Sequence, residues 1–141
     1  MSEVTIEKPL ISIRGAVQDD YNFLIATMLR SLYYGNSWFS LIPKKVFMAC
    51  YHGVVDKLLT SPGAIIQVAC LQEDPSVILG YSIQRKVSDK VVLDFVFTKK
   101  VWRGIGIAKS LVNPDTSAVT HLTKAGLSAK PKHWDFNPFM L

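Results

Sequence analysis

The chain has 141 residues, 49% of them hydrophobic and 19% charged, with a net charge of +5 and a pI near 9.3. These values exclude an intrinsically disordered chain and suit one folded domain over residues 1–141, able to bury a core without disulfides or structural metal. The apolar runs are too short to span a bilayer and no signal-peptide pattern opens the sequence, so a cytoplasmic location without a membrane anchor is expected.

Residues 1–8 are polar and read as a frayed start. After Pro9, the alternation of Leu10-Ile11-Ser12-Ile13-Arg14 predicts a first strand. Gln18-Asp19-Asp20 places acids at a helix start, and Leu24, Ile25, Met28, Leu29 and Leu32 recur at helical spacing, predicting a helix from about 18 to 32. Tyr33 to Phe39 is an aromatic, turn-rich connection that either lines a substrate cleft or covers the edge of the core. Pro43 opens a second helix in its first turn, with Val46, Phe47, Cys50, Tyr51, Val54 and Leu58 as its apolar stripe. Ser61-Pro62-Gly63 ends it.

The period then changes to that of strands: Ala64–Leu71, Val77–Ile83 and Val91–Phe97, joined by short turns as an antiparallel meander. Gly80 within the second of these marks a bulge or a close backbone approach. A short helix is predicted over Ile105–Val112, ended by Asn113-Pro114, and a brief strand over Ser117–His121. A turn or two of helix follows over Thr123–Lys130, and the alternating tail His133–Phe139 reads as a last strand. The order β-α-α-β-β-β-α-β-(α)-β describes an α/β (α+β) fold with a mixed, mostly antiparallel sheet flanked by helices.

The cysteines, Cys50 and Cys70, both stand in apolar segments and read as buried reduced thiols. His52, His121 and His133 are scattered, and no metal site is expected. The basic balance favours anionic partners: a nucleotide-bearing cofactor, an acidic protein surface or nucleic acid. Nucleic acid is the least supported, because the basic residues are spread and no recognition motif is present.

The chemistry concentrates in Val91–Val112, VVLDFVFTKKVWRGIGIAKSLV, where a β-branched strand runs through a basic turn into a glycine-bearing helix start. Gly104 and Gly106 allow close backbone approach, and the amides of Arg103, Gly104, Ile105, Gly106, Ile107 and Ala108 are placed to meet a phosphate. Lys99, Lys100, Arg103 and Lys109 add positive charge. Asp94 is the only acid on its strand, nine residues before Arg103. It reads either as a base or as a carboxylate paired with a lysine on the outer face. His121 closes the next strand and is either a second proton-transfer group or a satisfied histidine at a strand end.

Arg103-Gly104-Ile105-Gly106-Ile107-Ala108 fits Q/R-x-x-G-x-G/A and resembles the pyrophosphate-binding signature of the GNAT superfamily of N-acetyltransferases. The likeness is specific over about residues 90–112 and architectural over about 10–139, with a shortened second half. It implies acetyl-CoA as co-substrate, its pantetheine arm beside Phe97 and Thr98 where the fourth strand splays from the fifth. Its pyrophosphate would lie on residues Arg103 to Lys109. An amine acceptor, small molecule or protein, would enter between the first two helices and the sheet and attack the thioester, with Asp94 or His121 handling its proton. Thr98, Lys99 and Lys100 replace the small and proline residues common there, and Ala108 stands where glycine is commoner. These departures leave open a second reading, a GNAT-like protein that acts by binding a partner. The oligomeric state is open, a homodimer included.

Overall fold

The computed structural model describes residues 10–123, 126 and 129–140. Within them one sheet runs in chain order through β1 (Ile11–Gly15), β2 (Ala64–Leu71), β3 (Ile78–Val87), β4 (Lys90–Thr98), β5 (Thr116–Val119) and β6 (Asp135–Phe136). The pairings from β1 to β4 are antiparallel, whereas β5 lies parallel to β4 and β6 parallel to β5. The change of sense follows from the connections. Short turns join β2, β3 and β4, but α3 (Ile107–Leu111) and its flanking loops carry the chain back before β5 can begin.

Two-residue alternation, reversed along β3 at the bulge that leaves Leu79 as an extra residue, sorts the core onto two faces. Val68, Cys70, Tyr81, Ile83 and Phe95 face α1 (Tyr21–Gly35) and α2 (Lys44–Thr60), whose Leu24, Met28, Leu32, Phe47 and Val55 complete that layer. Ala69 and Leu79 face the other way, toward Ile107 and Leu111 of α3. Each fully buried leucine or methionine here contributes about 1.5–3 kcal/mol of transfer free energy.

The strand limits expected for Ala64–Leu71 are those observed, and the expected core positions of the first helix are buried except Ile25, which is half-buried. Elsewhere the limits move. The first helix continues to Gly35, because Tyr33 turns its ring onto Phe47 and its hydroxyl donates to the Ile42 carbonyl at 2.9 Å. Tyr33 and Phe39 therefore cover the core edge, while Tyr34 and Trp38 stay exposed. The last strand contracts to Asp135–Phe136 and the helix expected over Ile105–Val112 to Ile107–Leu111.

The stripe read on the second helix was displaced on one side. Its inward line is Phe47, Val55 and Leu58, buried, with Tyr51 half-buried between them, and Val46 and Cys50 stand one position, about 100°, around the helix from it. Cys50 is an exposed free thiol, contrary to the expectation of two buried cysteines; Cys70 is buried. The frayed start expected over residues 1–8 and residues 124, 125, 127 and 128 of the helix expected over Thr123–Lys130 lie outside the described residues. No helix among the described residues is long and apolar enough to cross a membrane.

Gly80 is a close approach, and the neighbouring register shift makes it also the flank of a bulge. A Cβ there would lie 2.5 Å from the Phe97 carbonyl oxygen and 3.3 Å from Ile107 Cγ2. Its absence lets the start of α3 sit down on the sheet. The other end of α3 is tied just as closely. The Leu111 carbonyl accepts from Ser82 Oγ at 3.0 Å and Gln84 Nε2 at 2.9 Å, and the Asn113 amide donates to Gln84 Oε1 at 2.9 Å. Ser82 and Gln84 are buried, so these bonds satisfy a helix end that water cannot reach.

Candidate functional site

The site begins at a bulge. Leu93 pairs with Gln84 and Phe95 with Ile83, which leaves Asp94 as the extra residue of β4. Beyond it β4 parts from β5: among the described residues the last backbone links between them are the Leu93–Val119 pair and the Thr120 amide donating to the Leu93 carbonyl at 3.0 Å. The Lys99 amide bonds the Leu79 carbonyl, so positions 95, 97 and 99 turn their backbone groups to β3. Those of Val96 and Thr98 face the opened side. Phe97 is not among them: its backbone is directed at Tyr81, and its ring packs between Phe23 and Tyr81.

The opened edge gives onto a cavity of about 550 Å³. Leu93, Val96, Val112, Val119 and Trp134 make its apolar walls, with Lys109, Lys130, His121 and His133 as the titratable groups around it. A smaller hollow of about 120 Å³ adjoins its mouth, lined by Thr98, Trp102, Arg103, Gly104, Gly106, Ile107, Ala108 and Lys109. Gly104 and Gly106 hold φ of +86° and +87°, and a Cβ on either would project into open space. Arg103 Nε donates to the Thr98 carbonyl at 3.1 Å, fastening the turn to the end of β4. Thr98 Oγ1 is buried yet has no hydrogen-bond partner among the described residues.

The remaining turn residues divide. Ile105, Ala108 and Lys109 are exposed on the turn, whereas Ile107 is buried under it and Trp102 packs on the α3 core. Lys99 leaves the turn altogether, its ammonium 5.3 Å from the centroid of the Phe23 ring. No group of three or more metal-ligating side chains occurs among the described residues.

Asp94 and His121 are brought together through residues that the sequence did not single out. Asp94 is fully buried and accepts from Arg85 Nε at 2.6 Å and Nη2 at 2.8 Å; Arg85 also donates to the Met140 carbonyl. Thr120 Oγ1 stands 2.8 Å from both Asp94 Oδ1 and His121 Nδ1, and Tyr51 Oη is 2.5 Å from His121 Nε2. One proton arrangement satisfies this chain. A carboxylate only accepts, so the Thr120 hydroxyl donates to Asp94. The Thr120 oxygen then receives the His121 Nδ1–H, and the Nε2 lone pair accepts the Tyr51 phenol proton. Burial pushes the His121 pKa down and so favours the neutral imidazole, with the Asp94 charge partly offsetting it. Burial also pushes the Tyr51 phenol up to about 12, so it keeps its proton.

In the sequence Tyr51 belongs to an apolar stripe, and no feature of the stripe reveals where its hydroxyl points. Arg85 carried a weak signal, as a charge inside a strand that is otherwise buried through Gln84. Thr120 carried none beyond adjacency to His121.

Comparison with family models and with curated proteins finds no match to the sequence. Comparison of the fold does. A candidate acetyltransferase from Clostridium difficile 630 superposes with a TM-score of 0.55 at 18% identity, over 86% of this chain and 85% of that one. A candidate acetyl transferase from Pyrococcus furiosus gives 0.56 at 19%, over 72% and 69%. An acetyltransferase of the GNAT family from Staphylococcus aureus Mu50 gives 0.51 at 16%, over 72% of this chain and 61% of that one. At such identities the likeness is one of fold: this chain has the mixed α/β GNAT fold.

Proposed function

We propose that the protein transfers an acetyl group from acetyl-CoA to an amine. The observation that carries this reading is the splayed edge of β4, where the backbone groups of Val96 face the opened side at the cavity and Thr98 lines the smaller hollow at its mouth. A pantetheine arm offers amides to pair with such an edge and apolar atoms for the Leu93, Val96 and Val112 wall. The turn at Arg103–Lys109 is suited to the pyrophosphate, since its two left-handed glycines leave the backbone uncovered and Arg103 and Lys109 supply charge. The amine approaches from the α1–α2 side and loses its proton to the chain of groups that contains His121 and Asp94.

A second reading, a GNAT-like protein that binds a partner protein, draws on two features. Helix α3 has only five residues, and exposed Tyr34, Trp38 and Leu41 form an apolar rim beside Lys44 and Lys45, suited to a partly acidic surface.

Calorimetry with acetyl-CoA tests the first reading. Binding is expected, and Gly106→Val should weaken it tenfold or more, about 1.4 kcal/mol, by adding a side chain to the phosphate cradle. No heat and no thermal shift at millimolar acetyl-CoA would remove the proposal.

A further inference from the structure

We propose that Tyr51 is the group that meets the acceptor amine, and that it relays the amine's proton to His121, which Thr120, Asp94 and Arg85 hold in the receiving tautomer. This inference rests on the acetyl-transfer reading above and assigns its proton path. It starts from position. Tyr51 belongs to α2, on the face of the sheet opposite α3, and its ring stacks on Phe47 at 5.1 Å and 13° and packs against Phe39 at 5.1 Å. That aromatic floor fixes the ring, while the residue itself remains half-buried rather than closed off. His121 meets it edge-on and lines the cavity on the other side. The Tyr51–His121 hydrogen bond therefore lies where the two strands part, with the acceptor side before it and the thioester side behind.

The chain has a direction. Every link from Tyr51 to Asp94 donates the same way, and each donor is matched to one acceptor. The phenol oxygen retains lone pairs that an approaching N–H can use. As the amine nitrogen bonds to the thioester carbonyl carbon, its proton passes to Tyr51 Oη and the phenol proton passes to His121 Nε2. The carbon–sulfur bond breaks and sulfur leaves with the electron pair. The imidazolium then returns its proton along the same path to the thiolate or to solvent, so the chain ends as it began. Without the relay, Tyr51 would have to hold a phenolate or accept a proton onto a neutral phenol, and both are far costlier than charging an imidazole.

The groups that face His121 decide how basic it is. Tyr51 from α2 donates to its lone pair and favours the neutral ring. Asp94 from β4 favours the charged ring, and Arg85 from β3 opposes it, because the Arg85–Asp94 pair is close to neutral as a unit. Lys109, Lys130 and His133 stand around the same cavity. Arg85 and Asp94 are thus positioning residues: they orient Thr120, and through it the imidazole, without handing His121 a full counter-charge that would lock on a proton.

Two measurements on the full chain test this. Nitrogen-15 NMR of the histidines should show His121 as the neutral Nδ1–H tautomer, titrating below ~6.5. In Tyr51→Phe, which keeps the ring and loses only the hydroxyl, the His121 midpoint should rise because the neutral form loses its donor. Release of free thiol from acetyl-CoA is then followed with a panel of primary amines and peptides. Tyr51→Phe should lower kcat at least tenfold, leave acetyl-CoA binding by calorimetry unchanged, and move the acid limb of the pH profile upward. An Nε2–H tautomer in the wild type, or unchanged kcat in a folded, cofactor-binding Tyr51→Phe, would overturn the relay. Failure of the wild type to bind acetyl-CoA, or binding with no thiol released to any amine, would instead overturn acetyl transfer itself. The relay would fall with it, whereas an Nε2–H tautomer or an unchanged Tyr51→Phe overturns the relay and leaves acetyl transfer standing.

Discussion

Asp94 owes its place to a pairing that only the fold creates. The lone acid of β4 stood out in the sequence, but its partner Arg85 lies across a hairpin whose register is shifted by the bulge at Asp94 itself. Arg85 pairs with Val92, so Asp94 two residues on lies diagonal to it on one face; without that register in hand, a lysine on the outer face was the natural alternative. With Asp94 fully buried, Arg85→Met strands a carboxylate away from water, and a loss of about 3–5 kcal/mol is expected in urea unfolding. His121 adds a pH dependence whose sign is fixed by its lowered pKa. Between that depressed value and ~6.5 the unfolded chain binds more protons than the folded one, so stability rises with pH across this window. Unfolding followed from pH 7 downward should show stability falling through that range, and His121→Asn should flatten the fall. The Asp20 carboxylate, held low chiefly by its hydrogen bonds from Arg14, adds a loss only at more acid pH, as it too becomes protonated.

Elements were more legible than their ends. The meander, the two leading helices and the turn into α3 follow from period and from turn residues, and physical chemistry leaves them few alternatives. What sequence pattern could not carry were contacts at a distance. Tyr33 extends α1 because Phe47 and Ile42 receive it, and β6 is reduced to the two residues that reach β5. Cys50 is exposed where the stripe predicts burial, because the phase of a helix stripe is fixed only by its partner surface. Gly80 shows the opposite case, a single residue whose meaning was legible. Gly80→Ala would drive a methyl against the Phe97 carbonyl and Ile107. A loss of about 1–3 kcal/mol in thermal or urea unfolding is expected. Because the end of β4 at Phe97 and the start of α3 at Ile107 must both shift to relieve the contact, acetyl-CoA binding should weaken with it. Full stability in that variant would show that Gly80 does not approach Phe97 and Ile107 as described.

At the scale of the whole molecule, the positive charge foreseen for an anionic partner is dispersed. Arg103 and Lys109 adjoin the turn, Lys109, Lys130 and His133 line the cavity, and Lys44 and Lys45 flank the aromatic rim. The candidate site is the place where this charge meets an opened sheet edge and an apolar cavity, and only the fold brings the three together. The turn was visible in the sequence; the cavity, the unpartnered Thr98 hydroxyl and the Tyr51–His121 link were not. The most direct test is an amide NMR titration of the labelled protein with acetyl-CoA. Perturbations are expected at Val96, Thr98 and Arg103 through Lys109, with the Gly106→Val variant losing them. Shifts confined to other surfaces, or no shifts at millimolar acetyl-CoA, would contradict the assignment of this site.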